Sequence, residues 1–366
     1  MRLKRLRALM QKKGLGTLLI SHPANRRYLS GFRAEDAQIG ETSGILLISQ
    51  TEAILATDPR YAELARAEAQ DWKIYIYHQN FFDEITDILK KMPPPLGFEA
   101  LHLSYAQYQR LQQALEKKNI SMKILATENM IEEMRKVKDE VEINTLREAV
   151  KLTERVYEAL KGILRPEITE KEVAWQIETI IKHDLQAELS FPPIVASGEN
   201  AAIPHAVPTD KKIALHEPII VDCGVKWQGY CADMTRTFYL GKPDEKFKTI
   251  SNLVLTAQQK AIGAIKAGLK TYEVDAVARS FLKEKGYAKA FLHALGHGVG
   301  LMVHESPSLS PRQPGEILQP HMIVTAEPGL YFSGWGGVRI EDMVLIKENG
   351  CERLTSRKAE LKDWIL

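Results

Sequence analysis

Residues 217–238, EPIIVDCGVKWQGYCADMTRTF, hold two β-like runs on either side of a short turn, and this pattern predicts a β-hairpin. With the turn centred on residues 227–228, Asp222 and Asp233 lie opposite each other on one face, with Cβ atoms roughly 5 Å apart. Carboxylates so placed repel each other, so the pair needs a shared proton, a basic neighbour such as Arg236, or divalent cations. A register that differs by one residue would instead turn one aspartate to solvent, and the hairpin alone leaves both arrangements open.

A glycine-rich segment, residues 294–300 (ALGHGVG), surrounds His297. Glycine allows the backbone to approach a ligand closely and to adopt dihedral angles that other residues avoid. His293 lies four residues before His297 and His304 lies seven residues after it. The segment therefore predicts a ligand-binding histidine, with a packed or surface histidine as the alternative.

Two glutamates lie in strand-like segments near the end of the chain. Glu327 ends an apolar run and precedes Pro-Gly, so its carboxylate sits at the edge of a buried strand and needs a partner. In residues 336–346 (GGVRIEDMVLI), Arg339 and Glu341 share one face of the predicted strand and Asp342 lies on the other. An Arg–Glu pair on a solvated face is the alternative for this segment.

Together the candidate ligands are rich in oxygen. Carboxylates combined with one imidazole suit Mn, Co, Fe or Zn, and the set is too large for a single tetrahedral zinc. Two ions about 3.5–4 Å apart, bridged by carboxylates, would use all of the ligands. The sequence therefore predicts two divalent metal ions, Mn, Co or Zn, held by Asp222, Asp233, His297, Glu327 and Glu341.

Length and composition indicate two domains and a small ligand. The chain has 366 residues, more than one hydrophobic core usually serves, and 45% of them are hydrophobic. The formal net charge of +2 favours neither a nucleic acid nor an anionic membrane as partner. Three cysteines without a C-x-x-C pair favour a reducing, cytoplasmic location. We interpret the basic amino terminus as an amphipathic helix ending near Gly14, and no run is apolar enough to span a membrane.

The predicted domains are residues 1–129 and 130–366. In the first, short apolar runs alternate with helical stretches such as 105–117, which is an α/β signature. The second begins with a long helix over about 131–164, followed by a capping box at Thr169. Further helices are expected over 245–267 and, after a Thr271 cap, over 272–285, and strands over 218–224, 230–240, 322–327 and 338–346.

In order and spacing, the candidate residues resemble the pita-bread metallopeptidases, in particular their proline-specific branch of Xaa-Pro dipeptidases and Xaa-Pro aminopeptidases. The resemblance covers about residues 131–366. The first part of the chain is similar to the amino-terminal domain of this branch, which methionine aminopeptidases lack. The implied fold is an α/β creatinase/prolidase-type domain followed by an α+β pita-bread catalytic domain. The stretches that carry the resemblance are 23–32 (PANRRYLSGF), 57–61 (TDPRY), Asp222, Asp233, 296–298 (GHG), 327–329 (EPG) and 338–342 (VRIED).

The resemblance implies hydrolysis of the bond before proline in dipeptides or short peptides by a metal-bridging hydroxide. Asp233, His297 and Glu341 would bind one ion and Asp222 and Asp233 the other, while Glu327 and Glu341 would touch both.

The same resemblance implies roles for further side chains. Glu327 would accept the proton of the nucleophile and pass it to the proline nitrogen. His205 and His304 would donate hydrogen bonds to the substrate carbonyl and the tetrahedral intermediate. The residues matched to substrate binding are His293 and Arg339, and Thr235 would orient Asp233.

Other functions stay open from the sequence. An Xaa-Pro aminopeptidase would act on longer peptides, and a non-catalytic binding protein or a metal-independent carbon–nitrogen hydrolase could share the fold. The binding protein and the metal-independent hydrolase would both leave the five predicted metal ligands unexplained. Family analogy predicts a homodimer, and so does Trp227, which is expected to be exposed at the hairpin tip. We interpret Cys223 and Cys231 as small buried thiols.

Overall fold

The computed structural model describes residues 1–36, 38, 40–355 and 360–366. The chain divides into two compact units, unit 1 (Met1–Arg135) and unit 2 (Lys136–Leu366). The division lies a few residues after the boundary predicted between 129 and 130. Ile131 and Met134 are buried, and the Tyr28 hydroxyl donates to the Met134 carbonyl oxygen at 3.2 Å, so this segment packs with unit 1. No helix among the described residues is long and apolar enough to cross a membrane.

Unit 1 alternates helices and strands, which is the α/β order that the sequence predicts. Its elements are α1 (Arg2–Lys12), β1 (Thr17–Ile20), α2 (Pro23–Ser30), β2 (Ile45–Ser49), β3 (Ala53–Thr57), α3 (Ala62–Glu68), β4 (Lys73–Ile76), α4 (Phe81–Leu89), β5 (Leu96–Glu99), α5 (Tyr105–Lys117) and β6 (Ile124–Thr127). Among the described residues the strands form one mixed sheet in the order β4-β3-β2-β1-β5-β6. Strands β1 and β2 are buried along their whole length, as expected where both faces of a sheet are covered.

Helix α5 spans the predicted range 105–117 because its first turn is capped. The Ser104 hydroxyl accepts from the Gln107 amide at 3.3 Å, and the Gln107 side chain accepts from the Ser104 amide at 3.0 Å. This capping box satisfies backbone donors that a helix start leaves free.

The long helix predicted over 131–164 is two helices, α6 (Glu132–Lys136) and α7 (Glu140–Ile163). The break occurs because Asp139 caps the second helix. Its carboxylate accepts from the Glu142 amide at 2.9 Å, and the Glu142 carboxylate accepts from the Asp139 amide at 2.9 Å. Between the helices, Val137 forms a β-bridge with Met322.

The remaining helices of unit 2 are α8 (Glu170–Thr179), α9 (Glu245–Ala264) and α10 (Thr271–Glu284). The capping box predicted at Thr169 is confirmed. The Thr271 cap is wrong, because the helix begins at Thr271 itself and Lys270 occupies the capping position. The Thr271 hydroxyl instead accepts from the Glu316 amide at 3.1 Å.

The strands of unit 2 are β7 (Glu188–Leu189), β8 (Ile194–Ser197), β9 (Pro218–Cys223), β10 (Val225–Trp227), β11 (Tyr230–Cys231), β12 (Met234–Tyr239), β13 (Gly296–Gly298), β14 (Glu305–Leu309), β15 (Ile323–Ala326), β16 (Gly329–Phe332), β17 (Gly336–Arg339), β18 (Asp342–Lys347) and β19 (Gly350–Arg353). In the described part of the chain they form sheets ordered β11-β10-β7, β12-β9-β8, β14-β13-β15-β18-β19 and β16-β17. Helices α7 and α8 share a core with β9 and β12, and α9 and α10 share another with β15 and β18. Unit 2 thus has the α+β organisation that the sequence predicts.

Two strands predicted as continuous are interrupted. The segment 230–240 breaks at residues 232–233, and the segment 338–346 breaks at residues 340–341. At these breaks the Asp233 amide donates to the Met343 sulfur at 3.3 Å, and the Glu341 amide donates to the Thr235 carbonyl oxygen at 3.1 Å. Each break therefore falls on one of the predicted ligands.

The hairpin over 217–238 turns one residue later than predicted. Trp227 pairs with Tyr230, and the two turn residues, Gln228 and Gly229, have φ of 47° and 84°. Positive φ at both positions is the geometry of a two-residue hairpin turn, and glycine adopts it without strain.

Because of this turn, Asp222 pairs with Thr235 and not with Asp233. A shift of two positions on the partner strand keeps the same face, so Asp233 lies diagonally from Asp222. Cys223 and Cys231 are buried free thiols, as predicted. The prediction that Trp227 is exposed is wrong, since it is half-buried against the core of unit 2.

Candidate metal centre

The five predicted ligands are carried by strand ends and strand breaks of unit 2. Asp222 lies near the end of β9, Asp233 directly precedes β12, and His297 is the middle residue of β13. Glu327 directly follows β15, and Glu341 directly precedes β18. At such positions the side chains leave the regular ladder and can converge.

Four of these side chains meet directly. One potential ligand atom from each of Asp233, His297 and Glu341 lies within 4.8 Å of the others. The His297 Nε2 atom is 3.6 Å from Asp233 Oδ2 and 3.3 Å from Glu327 Oε1. The spacing suits oxygen and nitrogen ligands around a cation.

Asp222 joins the cluster through Arg339. The Arg339 guanidinium donates from Nη2 to Asp222 Oδ2 at 2.8 Å and from Nε to the Thr235 hydroxyl at 3.1 Å. The Thr235 hydroxyl in turn donates to Glu341 Oε2 at 2.8 Å. Arg339 and Glu341 are only 3% and 1% exposed, so the alternative of a solvated Arg–Glu pair is wrong. The resemblance implied that Thr235 orients Asp233, but in the structure its hydroxyl bonds to Glu341.

The glycines beside His297 make room for backbone. A Cβ atom on Gly296 would lie 2.1 Å from the Thr325 carbonyl oxygen, and one on Gly298 would lie 2.4 Å from the Ser306 carbonyl oxygen. Strand β13 therefore approaches its two neighbours so closely that only glycine fits on either side of the histidine. The prediction assigned this space to a ligand, and the structure assigns it to strands β14 and β15.

The His297 ring presents a bare nitrogen to the carboxylates. Its Nδ1 atom lies 3.1 Å from the Gly298 carbonyl oxygen, which can only accept a hydrogen bond. The proton of the neutral ring is therefore on Nδ1, and Nε2 carries a lone pair. Burial lowers the pKa of His297, which favours this neutral form. A ring held in this way is ready to bind a metal through Nε2.

The carboxylates of the cluster resist ionisation when no cation is present. Burial, together with the charges of Glu341, Asp222 and Glu327, raises the pKa of Asp233 well above its usual range. Burial and the neighbouring carboxylates raise the pKa of Glu341 in the same way, and burial raises the pKa of Glu327 to about 8. Arg339 opposes these shifts but does not cancel them. The cluster therefore favours a positive charge at its centre.

Two oxygens of the cluster, Asp222 Oδ1 and Glu341 Oε1, are buried without a hydrogen-bond partner among the described residues. An unsatisfied buried polar group costs about 1–3 kcal/mol, and more when it is charged. A divalent cation would satisfy both oxygens and would offset the repulsion between the carboxylates. The residues present therefore fit a metal, and carboxylates with one imidazole suit Mn, Co or Zn.

Arg236, considered from the sequence as a neutralising neighbour of the aspartates, faces away from them. Its guanidinium donates to Asp342 Oδ1 at 2.7 Å, and both side chains are 0% exposed. It also donates to the carbonyl oxygens of Thr235, at 2.9 Å, and Glu341, at 2.5 Å. Since side chains alternate along β12, Arg236 lies on the face opposite to Thr235. We call Arg236 and Asp342 the buried clamp.

Two family models match the chain, Metallopeptidase family M24 over residues 144–348 and Creatinase/Prolidase N-terminal domain over residues 2–137. The chain belongs to metallopeptidase family M24. This M24 peptidase is 35% identical over 360 residues to the Xaa-Pro dipeptidase of Pyrococcus furiosus, with 98% of this chain and 99% of that protein covered.

Solved structures of similar proteins extend the comparison. The Xaa-Pro dipeptidase from Bacillus anthracis matches with a TM-score of 0.91 at 36% identity, over 100% of this chain and 99% of that one. The X-Pro aminopeptidase from Thermotoga maritima matches with a TM-score of 0.89 at 33% identity, over 100% of both chains. These comparisons confirm the predicted family, the pita-bread fold with its amino-terminal domain, and the prediction of a metal-dependent hydrolase.

Two histidines of this M24 peptidase lie at the exposed side of the cluster. The ring of His304 is 4.3 Å from that of His297, and its side chain is exposed. His205 is also exposed, and it is the residue after Pro204, whose carbonyl oxygen accepts from Arg339 Nη1 at 3.0 Å. Both imidazoles are thus accessible to a ligand near the carboxylates.

Sequence reasoning missed two features of the site. Tyr331, in β16, bonds to both His293 and Arg339, and a tyrosine in an apolar strand gives no signal beyond that of a core residue. The buried clamp was also missed, although a signal existed. Arg236 and Asp342 are charged residues in strands that also carry apolar runs, and buried charges need partners.

Proposed function

We propose that this M24 peptidase is an Xaa-Pro dipeptidase, which hydrolyses the peptide bond before proline in dipeptides or short peptides. The observation that carries the proposal is the buried carboxylate cluster around His297, with its two unpaired oxygens. The relative in Pyrococcus furiosus that is named Xaa-Pro dipeptidase supports the substrate class.

The proposed cofactors are two divalent metal ions, Mn, Co or Zn. When bound, such ions polarise a carbonyl group and activate a water molecule at neutral pH. The protein holds the ligands in place through the strand breaks that carry them. The buried hydrogen bonds of Arg339 keep bulk water away from the cluster. The proposed ligands are Asp222, Asp233, His297, Glu327 and Glu341.

We assign proton transfer to Glu327. Its side chain is 17% exposed, against 12% for Asp222 and 6% for Asp233, and Glu341 is only 1% exposed, so it is the most accessible carboxylate of the cluster. The Thr325 hydroxyl donates to Glu327 Oε1 at 3.1 Å and holds the carboxylate in position. In the proposed reaction Glu327 takes a proton from the attacking water and gives it to the nitrogen of the leaving proline.

His205 and His304 are assigned to the oxyanion. Both are exposed beside the cluster and can donate an N–H to the developing negative charge on the substrate oxygen. Removing one such donor typically lowers the rate by about 10²-fold or more. Proline itself brings no N–H to the scissile bond, so recognition cannot depend on that donor.

An Xaa-Pro aminopeptidase is the second candidate, because the similar Thermotoga maritima structure carries that activity in its name. The two activities differ in the group attached after proline, which is a free carboxylate in a dipeptide and a further peptide bond in a longer substrate.

We also propose a cytoplasmic homodimer, on the basis of the free cysteines and of family analogy. Analytical ultracentrifugation tests the dimer.

The test of the function uses protein stripped with a chelator and then supplied with Mn, Co or Zn separately. We expect release of proline from Ala-Pro, no cleavage of Ala-Pro-Ala, and no activity in Asp233→Ala. Asp210→Ala is the matched control, since Asp210 is 83% exposed in an ion pair with Lys171, and it should keep full activity. Cleavage of the tripeptide would indicate an aminopeptidase. An absence of turnover with every metal would favour the non-catalytic binding protein.

A further inference from the structure

A chain of hydrogen bonds runs from Arg339 to His293 through the hydroxyl of Tyr331. Arg339 Nη1 lies 3.0 Å from the tyrosine oxygen, and His293 Nε2 lies 2.9 Å from the same atom. At the other side of its ring, His293 Nδ1 lies 2.7 Å from the Ala294 carbonyl oxygen. Arg339 and Tyr331 are 3% and 5% exposed, so water has little access to these bonds.

The chemistry of the groups fixes the direction of the two outer bonds of this chain, and the direction of the bond between Tyr331 and His293 follows for a neutral ring. A carbonyl oxygen only accepts, so the proton of the His293 ring is on Nδ1. A guanidinium only donates, so the Tyr331 oxygen accepts from Arg339, and with a neutral His293 ring protonated at Nδ1 the tyrosine's own proton points at Nε2. The Nε2 atom must then be bare in order to accept that proton. The whole chain is satisfied only when His293 is neutral.

The surroundings of His293 agree with a neutral ring. Burial lowers the pKa of His293 to about 4, and the positive charges of Arg339 and Arg279 act in the same direction. The Arg279 guanidinium also donates to the His293 carbonyl oxygen at 2.8 Å, which fixes the backbone of the residue. The backbone of His293 is therefore held by Arg279, and its ring is held by Tyr331 and the Ala294 carbonyl oxygen.

Arg339 itself has little capacity left for a ligand. A guanidinium carries five N–H groups. Four of them are used within unit 2, on the Thr235 hydroxyl, the Pro204 carbonyl oxygen, the Tyr331 hydroxyl and Asp222. At most one N–H group remains, so this arginine cannot form a bidentate pair of hydrogen bonds with a substrate carboxylate.

We infer that Tyr331 is a positioning residue that holds His293 in its Nδ1–H tautomer, with both ring nitrogens bonded inside the protein. His293 then offers a bound ligand neither an N–H nor a lone pair, and proton donation is left to His205 and His304. The tautomer follows from the hydrogen bonds alone. Its consequence for the substrate rests on the proposed function and on the family resemblance, which matches His293 to substrate binding.

The test is ¹⁵N NMR of protein labelled at histidine, with the His293 signals identified by their loss in His293→Gln. We expect a protonated Nδ1 and a bare Nε2 at neutral pH in the unaltered protein. In Tyr331→Phe the ring loses the donor to Nε2, so a fraction of the protein should carry the proton on Nε2. The matched control is Tyr287→Phe, whose ring packs on Phe332 outside this chain of bonds and whose His293 signals should be unchanged.

A protonated Nε2 in the unaltered protein would overturn the inference, and so would a His293 spectrum that is identical in Tyr331→Phe. The first measurement needs only the unaltered protein and His293→Gln, so the inference can be tested even if Tyr331→Phe fails to fold. Neither reading depends on turnover. A failure of the tautomer assignment is therefore distinguishable from a failure of the proposed peptidase activity.

Discussion

Arg236→Met removes one half of the buried clamp and tests whether that clamp holds the candidate metal centre in place. With both side chains 0% exposed, the loss of the arginine leaves the Asp342 carboxylate buried without its main partner. Breaking a buried ion pair in this way usually costs about 3–5 kcal/mol. The Arg353 guanidinium lies 3.4 Å from Asp342 Oδ2, and the Thr355 hydroxyl at 2.7 Å and the Gln258 amide at 3.2 Å still donate to Asp342, so the cost falls at the lower end of this range. We therefore expect a loss of about 3 kcal/mol in the free energy of unfolding of unit 2.

The same substitution should weaken metal binding. Arg236 donates to the carbonyl oxygens of both Thr235 and Glu341, so it joins the strand that begins after Asp233 to the break that carries Glu341. Without the arginine the Glu341 carbonyl loses its bond to this strand, and only the bonds from the Glu341 amide and to the Glu341 carboxylate still join it to Thr235, so the spacing of the ligands is held less firmly. Loss of such outer support typically raises the dissociation constant of a metal by about 10–100-fold.

Urea unfolding of the metal-free protein measures the stability, and calorimetric titration with Mn²⁺ measures the affinity. The Trp364 ring lies 5.3 Å from the Arg236 guanidinium carbon, so its fluorescence reports on the altered region. Asp210→Asn is the matched control, because it breaks an ion pair with Lys171 whose side chains are 83% and 56% exposed. Such surface pairs contribute about 0–1 kcal/mol. An Arg236→Met protein as stable as that control, with an unchanged metal affinity, would show that the buried clamp does not support the metal centre.

Three further outcomes can be measured. His304→Ala should lower kcat/KM by about 10²-fold while calorimetry shows unchanged metal binding, and an equal loss of both would contradict its assignment to the oxyanion. Gly296→Ala places a Cβ atom 2.1 Å from the Thr325 carbonyl oxygen and should cost about 1–3 kcal/mol in urea unfolding, whereas Gly263→Ala, with nothing within 4 Å, should be neutral or stabilising. Burial raises the pKa of Glu99 from 4.5 to about 7, so folded unit 1 binds its proton more tightly than the unfolded chain. The stability from this group should be complete below pH 4.5 and should fall by about 1.4 kcal/mol per pH unit as pH rises toward 7. The difference between the unaltered protein and Glu99→Gln isolates this slope, and identical slopes would contradict it.

Patterns with a strong local cause could be predicted from the sequence. Helix α5 and the start of α8 follow from capping boxes, in which the residue types and their spacing suffice. The α/β order of unit 1 follows from apolar runs that alternate with amphipathic stretches. The ligand types were recognised because acids in apolar strands need a partner, and Asp222, Asp233 and Glu341 are indeed buried.

The errors concern competition between local and tertiary structure. The hairpin turn moved by one residue because Gly229, with φ of 84°, sits best at the second position of the turn. The long helix predicted over 131–164 divides because Asp139 is a stronger cap than a helix-interior residue. The strand breaks at Asp233 and Glu341 depend on contacts with Met343 and Thr235, which come from distant segments, and a single sequence carries no signal for them.

We propose that this M24 peptidase binds two metal ions in the carboxylate cluster and uses them for hydrolysis. The most direct test titrates chelator-treated protein with Mn²⁺, measures bound metal per chain by equilibrium dialysis, and records release of proline from Ala-Pro in the same samples. We expect two ions per chain, with activity rising as the cluster fills and neither binding nor activity in Asp233→Ala. Full activity in the presence of chelator, or tight binding of two ions by Asp233→Ala, would contradict it.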